Sequence, residues 1–520
     1  MNTIIDFFDA GARQHPQAPC LTNLGQKPLS YALVQSRTCQ IARGLQQRGF
    51  EPGFHGAVYS GNTADGFIAV LAIARADGVW LPVNARNAVQ ANVEFLEDMD
   101  CDILFYQGKW REQVAQIRTL VPRIRQFVCL DADGDPADLD LAAFTQGQSD
   151  ALFSPACRPG SLALIMGTGG TTGRSKGVML SHRNIAMTFA SHMSMMNVEH
   201  RMVYLAAAPI THTAGIVALP FMSRGANVIL MDGIEPQNLL RTLQRERVSM
   251  IFLPPTVIYG LLSQPNVRDF DYSALRYMMY GAAPMSPDKL AEAIDVFGPV
   301  MFQIYGQAEV PAAISALPRG DHFVDGKVAP RQRLLSAGRL MPFVRTAIMD
   351  NDGRILTQPG ERGEIVAQGD QVMLGYYKNP EGTAEVTLNG WHRTGDVGYI
   401  DEEGFLYIVD RKKDMIITGG FNVFSSEVEA ALMAHPAVKD CAVIGVPDPK
   451  WGELVKGIVE LRQGQSVEAD ELIQFVKGSL GSVKAPKSVE IVSQLPRSAV
   501  GKVLKKELRQ KFWAGQERVI

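Results

Sequence analysis

The sequence predicts an α/β protein with a large N-terminal domain of mixed sheets packed with helices, a small β region, and a small α+β C-terminal domain. Three observations lead to this fold class. A length of 520 residues leaves room for about two to four domains. Strand and helix patterns alternate over residues 30–83 and again over 203–263, which is typical of mostly parallel sheets covered by helices. The pattern of predicted elements then changes near residue 334, where short alternating segments begin, and again near residue 410, where a compact α+β pattern begins.

Alternation is clearest in the N-terminal part. An amphipathic helix is predicted over 30–49, ending at Gly49, and a short apolar strand follows over 56–59. An Ala-rich helix over 64–76 and a buried strand over 79–83 continue the pattern. The same alternation predicts six further elements, which are strands at 203–207, 227–231 and 250–253 and helices at 214–223, 236–246 and 255–263.

Short alternating segments begin at about residue 334. Those at 346–350 and 363–368 are separated by turn residues and predict a small antiparallel β region. Beyond residue 410 the pattern becomes a compact α+β one, which suggests a domain of roughly 110 residues, within the usual range of domain sizes. Its predicted elements are helices at 426–434 and 469–480 and strands at 440–446, 456–462 and 488–493.

Composition and charge exclude several classes of protein. Hydrophobic residues make up 46% of the chain and charged residues 20%, while 51 Lys and Arg against 54 Asp and Glu give a net charge of −3. This balance argues against a disordered chain, a collagen-like fibre or a coiled coil. It also supplies no global field toward nucleic acid or anionic lipid, so no nucleic-acid partner is expected.

Cysteine usage and the N-terminus indicate the compartment. The six cysteines include no CxxC pair, which indicates free thiols in a reducing environment. Asp6 and Asp9 stand where a signal peptide carries basic and then apolar residues, and no window of about 18 apolar residues lacks charge. The sequence therefore predicts a cytoplasmic protein without a transmembrane segment and leaves peripheral membrane contact open.

Glycines concentrate in one segment that suits a phosphate ligand. Residues 161–178 read SLALIMGTGGTTGRSKGV, an apolar strand that runs into five glycines, three threonines, Arg174 and Lys176. Glycine lets backbone N–H groups approach phosphate oxygens, threonine donates hydrogen bonds, and lysine adds charge. The segment is not a Walker A loop because Gly177 follows Lys176, and it does not open a helix as a Rossmann fingerprint does.

Four more islands follow in order along the chain: YGQAE (305–309), RTGD (393–396), DRKKDMIITGGFNVFSSEVE (410–429) and PRSAVGK (496–502). Together with residues 166–177 they strongly resemble the adenylate-forming superfamily, which includes acyl-CoA synthetases, adenylation domains of peptide synthetases and firefly-type luciferases. The resemblance spans nearly the whole chain. It implies an N-terminal AMP-binding domain over 1–409, a hinge at 410–413 and a mobile lid over 414–520.

Residue roles are carried over from this resemblance for the nucleotide, with ATP and Mg²⁺ expected. A mobile loop would handle the β- and γ-phosphates, with Thr172 also catalytic; its residues are Thr168, Gly169, Gly170, Thr171, Thr172 and Lys176. Glu309 would hold Mg²⁺, and Asp396 would accept hydrogen bonds from the ribose. The purine would lie among Gly281, Ala282, Ala283, Pro284, Gln303, Tyr305 and Gly306, with Tyr305 stacked on it and Gln303 at its edge.

Further roles concern domain rotation, coenzyme A and the acid. Arg411 would contact the ribose or a phosphate, and Lys413 would be the hinge residue about which the lid turns. Lys502 would enter for adenylation, and Gly419 and Gly420 would line the pantetheine tunnel. His212, in PITHTAG (209–215), would lie near the acyl carboxylate.

Two departures from the family pattern concern the site. Ala308 replaces a threonine whose hydroxyl contacts the α-phosphate, a hydrogen bond worth about 1.5–3 kcal/mol if nothing replaces it. Thr211 replaces a bulkier residue before His212, which predicts an altered or wider pocket mouth.

The predicted function is an ATP-dependent acyl-CoA ligase. It would convert a hydrophobic monocarboxylic acid (medium- or long-chain fatty, aryl or alicyclic) to acyl-AMP and pyrophosphate, and then to acyl-CoA and AMP. Apolar pocket segments favour such an acid, and the bulk of Met279 and Tyr280 argues against the longest straight chains. The alternatives are an enzyme that loads an acyl carrier protein, a luciferase-like oxygenase and an inactive binding protein. A homodimer is left open.

Overall fold

The computed structural model describes residues 3–168, 175–198, 201–497 and 503–513. The chain forms two compact units, of which the first comprises Met1–Thr346 and Ala367–His392 and the second Ala347–Val366 and Arg393–Ile520. The second unit thus contains much of the short β region as well as the C-terminal α+β part. The expected hinge at 410–413 lies inside it, and the division into 1–409 and 414–520 stays a prediction.

Strands make up the framework of both units. Those up to the Gly-rich segment are β1 (Pro19–Asn23), β2 (Leu29–Ser30), β3 (His55–Tyr59), β4 (Val79–Leu81), β5 (Ile103–Tyr106), β6 (Gln126–Cys129), β7 (Leu139–Asp140) and β8 (Leu162–Thr168). The next are β9 (Lys176–Ser181), β10 (Val203–Ala206), β11 (Asn227–Leu230), β12 (Met250–Leu253), β13 (Tyr277–Tyr280), β14 (Met301–Gln307), β15 (Val310–Leu317), β16 (Phe323–Val324), β17 (Lys327–Val328) and β18 (Gly338–Leu340). The last are β19 (Arg345–Met349), β20 (Ile355–Leu356), β21 (Gly363–Gln368), β22 (Gly375–Tyr376), β23 (Thr387–Leu388), β24 (Trp391–Ile400), β25 (Phe405–Arg411), β26 (Ile416–Thr418), β27 (Phe421–Val423), β28 (Val438–Asp448), β29 (Gly452–Leu461) and β30 (Ser488–Val492).

Helices cover the sheets and connect the parallel strands. The first eight are α1 (Ile4–Gln14), α2 (Tyr31–Gln47), α3 (Ala64–Arg75), α4 (Val89–Asp98), α5 (Arg111–Leu120), α6 (Leu141–Thr145), α7 (His182–Met195) and α8 (Thr213–Met222). The others are α9 (Pro236–Arg245), α10 (Pro255–Leu262), α11 (Pro287–Phe297), α12 (Arg331–Leu334), α13 (Pro380–Glu385), α14 (Ser425–Met433), α15 (Ala469–Lys484) and α16 (Lys505–Gln510). Within the ranges that the structure describes, no helix combines the length and apolar character needed to cross a membrane.

Capping residues explain where several helices begin. Ser30 accepts a hydrogen bond from the backbone N–H of Leu33 at the start of α2, and Thr63 accepts one from Gly66 at the start of α3. Ser181 forms a capping box with Asn184 at the start of α7. These caps place the helix starts within one residue of the predicted ones where a prediction was made.

Two sheets dominate the first unit. One has the order β22-β9-β8-β4-β3-β5-β6-β7, with parallel strands from β8 to β7 and antiparallel β9 and β22 at its edge. The other follows β2-β1-β11-β10-β12-β13-β14-β15-β18, parallel from β1 to β14. The apolar side chains of β10–β14 pack with those of α9–α11 in one core that includes Leu205, Leu239, Ile251, Tyr280 and Leu290.

The second unit is mainly antiparallel. Strands β25, β24, β21, β19 and β20 are neighbours in that order, and β24 pairs with β25 so that Asp396 lies opposite Arg411. The C-terminal sheet has the order β27-β26-β29-β28, with β30 parallel to β29. Its core includes Val428, Leu432, Val455 and Leu472 beneath α14 and α15. The predicted mixture of parallel sheets, small β region and α+β part is confirmed.

Candidate active site

The strands that flank the Gly-rich segment form a hairpin base. Thr168 ends β8 opposite Lys176, which begins β9. Ser175 Oγ donates a 2.6 Å hydrogen bond to the Thr168 carbonyl and closes the base of the loop. The predicted phosphate-binding residues Gly169, Gly170, Thr171 and Thr172 lie outside the described residues.

Tyr376 joins Lys176 to Glu309. Glu309 lies in the turn between β14 and β15, is only 9% exposed, and accepts a 2.7 Å hydrogen bond from the Tyr376 hydroxyl. Lys176 Nζ lies over the ring of the same tyrosine, 4.8 Å from its centroid. Burial and then the Glu309 carboxylate raise the pKa of Tyr376, which stays a hydrogen-bond donor.

Pairing of β22 with β9 explains why Tyr376 reaches both side chains. Tyr376 lies opposite Val178, and the Tyr377 N–H donates a 2.7 Å hydrogen bond to the Gly177 carbonyl. The Met373 N–H donates to the Glu309 carbonyl at 2.8 Å. The segment that carries Tyr376 is therefore fixed by backbone bonds at both the loop base and the Glu309 turn.

Glu309 has the chemistry of a magnesium ligand. Carboxylate oxygen is what Mg²⁺ prefers, and this ion is usually held by one or two carboxylates together with substrate phosphates. Tyr376 occupies one site on Oε1, and a carboxylate offers about four acceptor sites in all. No cluster of three or more His, Cys, Asp or Glu side chains in the described ranges could hold a metal by itself. The residues present thus fit an ion shared between Glu309 and a nucleotide.

The predicted purine segment follows β13. Gly281 makes a close approach to β14, because a Cβ there would meet the Ile304 carbonyl oxygen at 2.5 Å, and Ala282 has a φ of 65°. Gln303 and Tyr305 are two residues apart on β14, so both project from the same face of the strand. Tyr280 lies opposite Gln303, with its hydroxyl 3.3 Å from Gln303 Oε1.

Tyr280 is fully buried in the core with α9–α11. Its hydroxyl is 3.0 Å from His322 Nε2. The ring of Tyr280 therefore packs in the core with α9–α11, and its expected effect on the longest straight acyl chains stays a prediction.

His212 directly precedes α8, and a buried asparagine holds the backbone just before it. Asn62 Oδ1 accepts a 2.8 Å hydrogen bond from the Ile210 N–H, and Asn62 Nδ2 donates to the Ala206, Ala208 and Met231 carbonyls. Thr211 is 1% exposed and donates to the Val83 carbonyl at 2.9 Å. Burial lowers the pKa of His212 to about 4, so its imidazole is neutral at pH 7.

Asp396 and Arg411 meet across β24 and β25 in the second unit. Arg411 Nε is 3.4 Å from Asp396 Oδ1, and Asp396 is 5% exposed. The Asp396 N–H donates to Thr394 Oγ1 at 3.1 Å, and that hydroxyl donates to the Ile365 carbonyl at 2.7 Å. The predicted ribose-binding carboxylate is thus held in place by its own strand and by β21.

The predicted hinge is held by residues that follow Lys502 in sequence. Arg509 Nη1 donates a 3.0 Å hydrogen bond to the Lys413 carbonyl, and Arg509 Nη2 pairs with Asp414 at 2.7 Å. Lys505 Nζ is 2.7 Å from both Glu429 Oε1 and Ser425 Oγ. Lys502 itself lies outside the described residues.

Gly419 and Gly420 form the turn between β26 and β27. Both have left-handed φ values, 56° and 82°, and a Cβ on Gly419 would lie 2.5 Å from the Trp451 ring. The Gly419 N–H donates to the Trp451 carbonyl at 2.8 Å. The turn therefore packs directly on an indole that is 47% exposed.

Two protein-family models match this chain. The model of the AMP-binding enzyme family matches residues 8–377, and that of the AMP-binding enzyme C-terminal domain matches residues 427–502. The chain belongs to the AMP-binding enzymes. This adenylate-forming family is the one whose motifs the sequence resembles.

Two relatives of this AMP-binding enzyme are named as enzymes that form coenzyme A esters. Feruloyl-CoA synthase of an Amycolatopsis species is 34% identical over 504 residues, which cover 96% of this chain and 97% of the relative. A long-chain-fatty-acid–CoA ligase of Bacillus subtilis is 37% identical over 535 residues, covering 97% of this chain and 94% of the relative. The structure of ATP-bound MatB from Rhodopseudomonas palustris is 29% identical with a TM-score of 0.87, and covers 98% of this chain and 99% of that one.

The predicted family, fold class and enzyme class are thereby confirmed: the chain is an AMP-forming acyl-CoA ligase with ATP and coenzyme A as substrates. Within the first unit the structure brings Lys176 and Glu309 together, and Gln303 next to Tyr280. Within the second it pairs Asp396 with Arg411.

Sequence reasoning missed Tyr376, Asn62 and His322. A pair of tyrosines between Gly375 and Pro380 was the one local indication of Tyr376. Asn62 and His322 are single polar residues in segments without a recognisable motif, so the sequence gave no indication of their contacts.

Proposed function

We propose that this ligase activates a hydrophobic monocarboxylic acid with Mg²⁺ and ATP and transfers the acyl group to coenzyme A. The observation that carries the proposal is the arrangement of Lys176 and Glu309 on Tyr376 at the base of the Gly-rich hairpin. The Lys176 ammonium contacts the ring of Tyr376, and the Glu309 carboxylate accepts a hydrogen bond from its hydroxyl. A cation and a carboxylate suited to Mg²⁺, held by the same side chain, suit the phosphates of a nucleotide. The fold and the relatives support the same reading.

In the first half-reaction, an oxygen of the acid's carboxylate attacks the α-phosphorus of ATP, and the bond to the β,γ-diphosphate breaks. The products are acyl-AMP and pyrophosphate. Thr168 and Lys176 bind phosphate oxygens, Tyr305 and Gln303 hold the purine, and Asp396 accepts hydrogen bonds from the ribose hydroxyls. Mg²⁺ held by Glu309 supplies charge neutralisation when bound. Lys502 adds a positive charge at the leaving oxygen.

In the second half-reaction, the thiolate sulfur of coenzyme A attacks the acyl carbonyl and AMP leaves. A lysine suited to the first step would obstruct the second, which supports a lid that turns about Lys413. The Gly419–Gly420 turn packs on Trp451 and presents a backbone without side chains, which suits a narrow thiol-bearing arm.

Two features support an apolar, singly charged acid. The segment around His212 is apolar and buried, with Ile210, Thr211, Ala214 and Gly215 shielded from solvent. His212 is neutral at pH 7, so it can donate a hydrogen bond to one carboxylate but offers no cation for a second. Both relatives described above carry the names of acids with large apolar parts, which agrees with this class.

The test is release of AMP and pyrophosphate by the full chain across fatty, aryl and alicyclic acids, with and without coenzyme A. We expect AMP release that requires both an acid of this class and coenzyme A. Turnover only with a pantetheinylated carrier protein would instead assign the enzyme to carrier loading. Absence of acid-dependent pyrophosphate exchange with every acid would reject adenylation.

A further inference from the structure

Tyr280, His322 and Gln303 form a hydrogen-bonded chain that ends beside the predicted purine position. Tyr280 and His322 are both fully buried. The Tyr280 hydroxyl lies 3.0 Å from His322 Nε2 and 3.3 Å from Gln303 Oε1, while His322 Nδ1 lies 2.9 Å from the Pro318 carbonyl. Because each of these groups has a limited number of donor hydrogens and acceptor lone pairs, the donor and the acceptor of every hydrogen bond in this series can be assigned.

The proton on His322 is located by its backbone partner. A carbonyl oxygen only accepts, so Nδ1 must carry the hydrogen that is shared with Pro318. Burial lowers the pKa of His322 to about 4, so the ring is neutral at pH 7 and its other nitrogen is an acceptor. Nε2 therefore receives a hydrogen bond from the Tyr280 hydroxyl.

Tyr280 then has no hydrogen left for Gln303. A hydroxyl has one donor hydrogen, and donation to His322 leaves only lone pairs facing the glutamine. An amide oxygen at 3.3 Å would face those lone pairs without a hydrogen between them. Rotation of the amide by about 180° resolves the conflict, because its NH₂ group then donates to the Tyr280 oxygen.

We propose that His322 and Tyr280 are positioning residues that hold the Gln303 amide with its nitrogen inward and its oxygen outward, and thereby select a purine with a 6-amino group over one with a 6-oxo group. An outward carbonyl accepts from the amine of adenine and opposes the oxygen of hypoxanthine. Gln303 and Tyr305 project from the same face of β14, which places this carbonyl at the edge of a base stacked on Tyr305. The inference rests on the proposed function, which places the ATP base there.

The orientation of the Gln303 amide can be tested without knowing which acid is the substrate. The experiment measures the binding of ATP and of inosine 5′-triphosphate (ITP) to the full-length protein by titration calorimetry with Mg²⁺. In His322→Leu the freed hydroxyl donates to the Gln303 oxygen and turns the NH₂ group outward. We expect the ATP-to-ITP affinity ratio to fall about tenfold, with affinity for ITP itself rising. Tyr280→Phe leaves the amide free to rotate, so the ratio falls about fivefold.

Two further variants separate positioning from damage to the fold. Gln303→Glu in the His322→Leu background presents an acceptor oxygen whichever way it turns, and should restore the preference for ATP. His55→Leu removes a buried imidazole from β3, whose Nδ1 bonds the Met99 carbonyl, and should leave the ratio unchanged.

An unchanged ratio in both Tyr280→Phe and folded His322→Leu would overturn the inference, as would an equal fall in His55→Leu. Rescue by Gln303→Glu would support it. If the ATP-to-ITP affinity ratios change as expected but no acid yields AMP, the proposed function fails while the positioning of Gln303 by His322 and Tyr280 stands.

Discussion

The Tyr376 hydroxyl donates a 2.7 Å hydrogen bond to Glu309 across 67 residues of sequence. The same ring supports Lys176, whose ammonium lies 4.8 Å from the ring centroid. One buried tyrosine thus positions both the Glu309 carboxylate and the Lys176 ammonium at the base of the Gly-rich hairpin. This geometry makes Tyr376 a positioning residue with two separable contacts.

Tyr376→Phe keeps the ring beneath Lys176 and removes only the bond to Glu309. A hydrogen bond to a charged group contributes about 1.5–3 kcal/mol, so we expect the Mg²⁺ concentration for half-maximal pyrophosphate exchange to rise at least about tenfold. Calorimetric binding of Mg²⁺ with ATP should weaken similarly. Tyr377→Phe, which loses a 2.7 Å bond to Asp100, is the control and should leave the Mg²⁺ dependence unchanged. Equal effects of the two substitutions would contradict a role for Tyr376.

Lys502→Ala should separate the two half-reactions. If this lysine acts only while the lid is in its adenylation orientation, the substitution removes charge from the first transition state alone. We expect acid-dependent pyrophosphate exchange to fall at least about a hundredfold, while thioester formation from pre-made acyl-AMP and coenzyme A stays within about threefold of the parent. Lys506→Ala, on neighbouring α16, should affect neither step. Equal loss of both half-reactions would reject the rotation of the lid.

The fold was largely predictable because its elements follow from local patterns. Helices α2 and α3 directly follow the good capping residues Ser30 and Thr63, and the buried strand β3 between them is a short, largely apolar run. The extent of the second unit was less accessible, since residues 347–366 join it through strand pairing that no local pattern encodes.

Candidate site residues that lie in contiguous motifs could be named from the sequence, whereas residues that act through long-range contacts could not. Glu309 and Asp396 belong to short islands, and the structure buries both of them. The bond from the Tyr280 hydroxyl to His322 joins residues 42 apart, and the bond from the Ile210 N–H to Asn62 joins residues 148 apart. Such contacts follow from tertiary packing, so the local sequence around His322 or Asn62 does not indicate them.

His212 should act as a neutral hydrogen-bond donor throughout the physiological range. Because burial lowers its pKa to about 4, the cationic form appears only as the pH falls through that value. We expect His212→Gln to lower kcat/KM for the acid about fivefold. The ratio of parent to variant should be constant from pH 6 to 8, as measured by AMP release. A ratio that declines as the pH rises through 6.5 would indicate that a charged imidazole binds the acid.

Glu429 predicts a pH dependence of stability in the second unit. Burial raises its pKa to about 7 despite the nearby Lys505 ammonium. The folded state therefore binds more protons than the unfolded state between about pH 4.5 and 7, so the contribution of Glu429 to the free energy of unfolding falls as the pH rises through that window. A pKa difference of one corresponds to about 1.4 kcal/mol.

Glu429→Gln removes the titrating group, so the stability of the parent relative to this variant should decline between pH 5 and 7. Thermal unfolding of the full chain at several pH values measures the difference. Ser479→Ala removes a hydrogen bond to the Val476 carbonyl within α15 and touches no titrating group, and its difference from the parent should be independent of pH. If the curves of the parent and Glu429→Gln stay parallel from pH 5 to 7, the carboxyl of Glu429 does not gain a proton on folding, and the cluster around Lys505 is fully ionised.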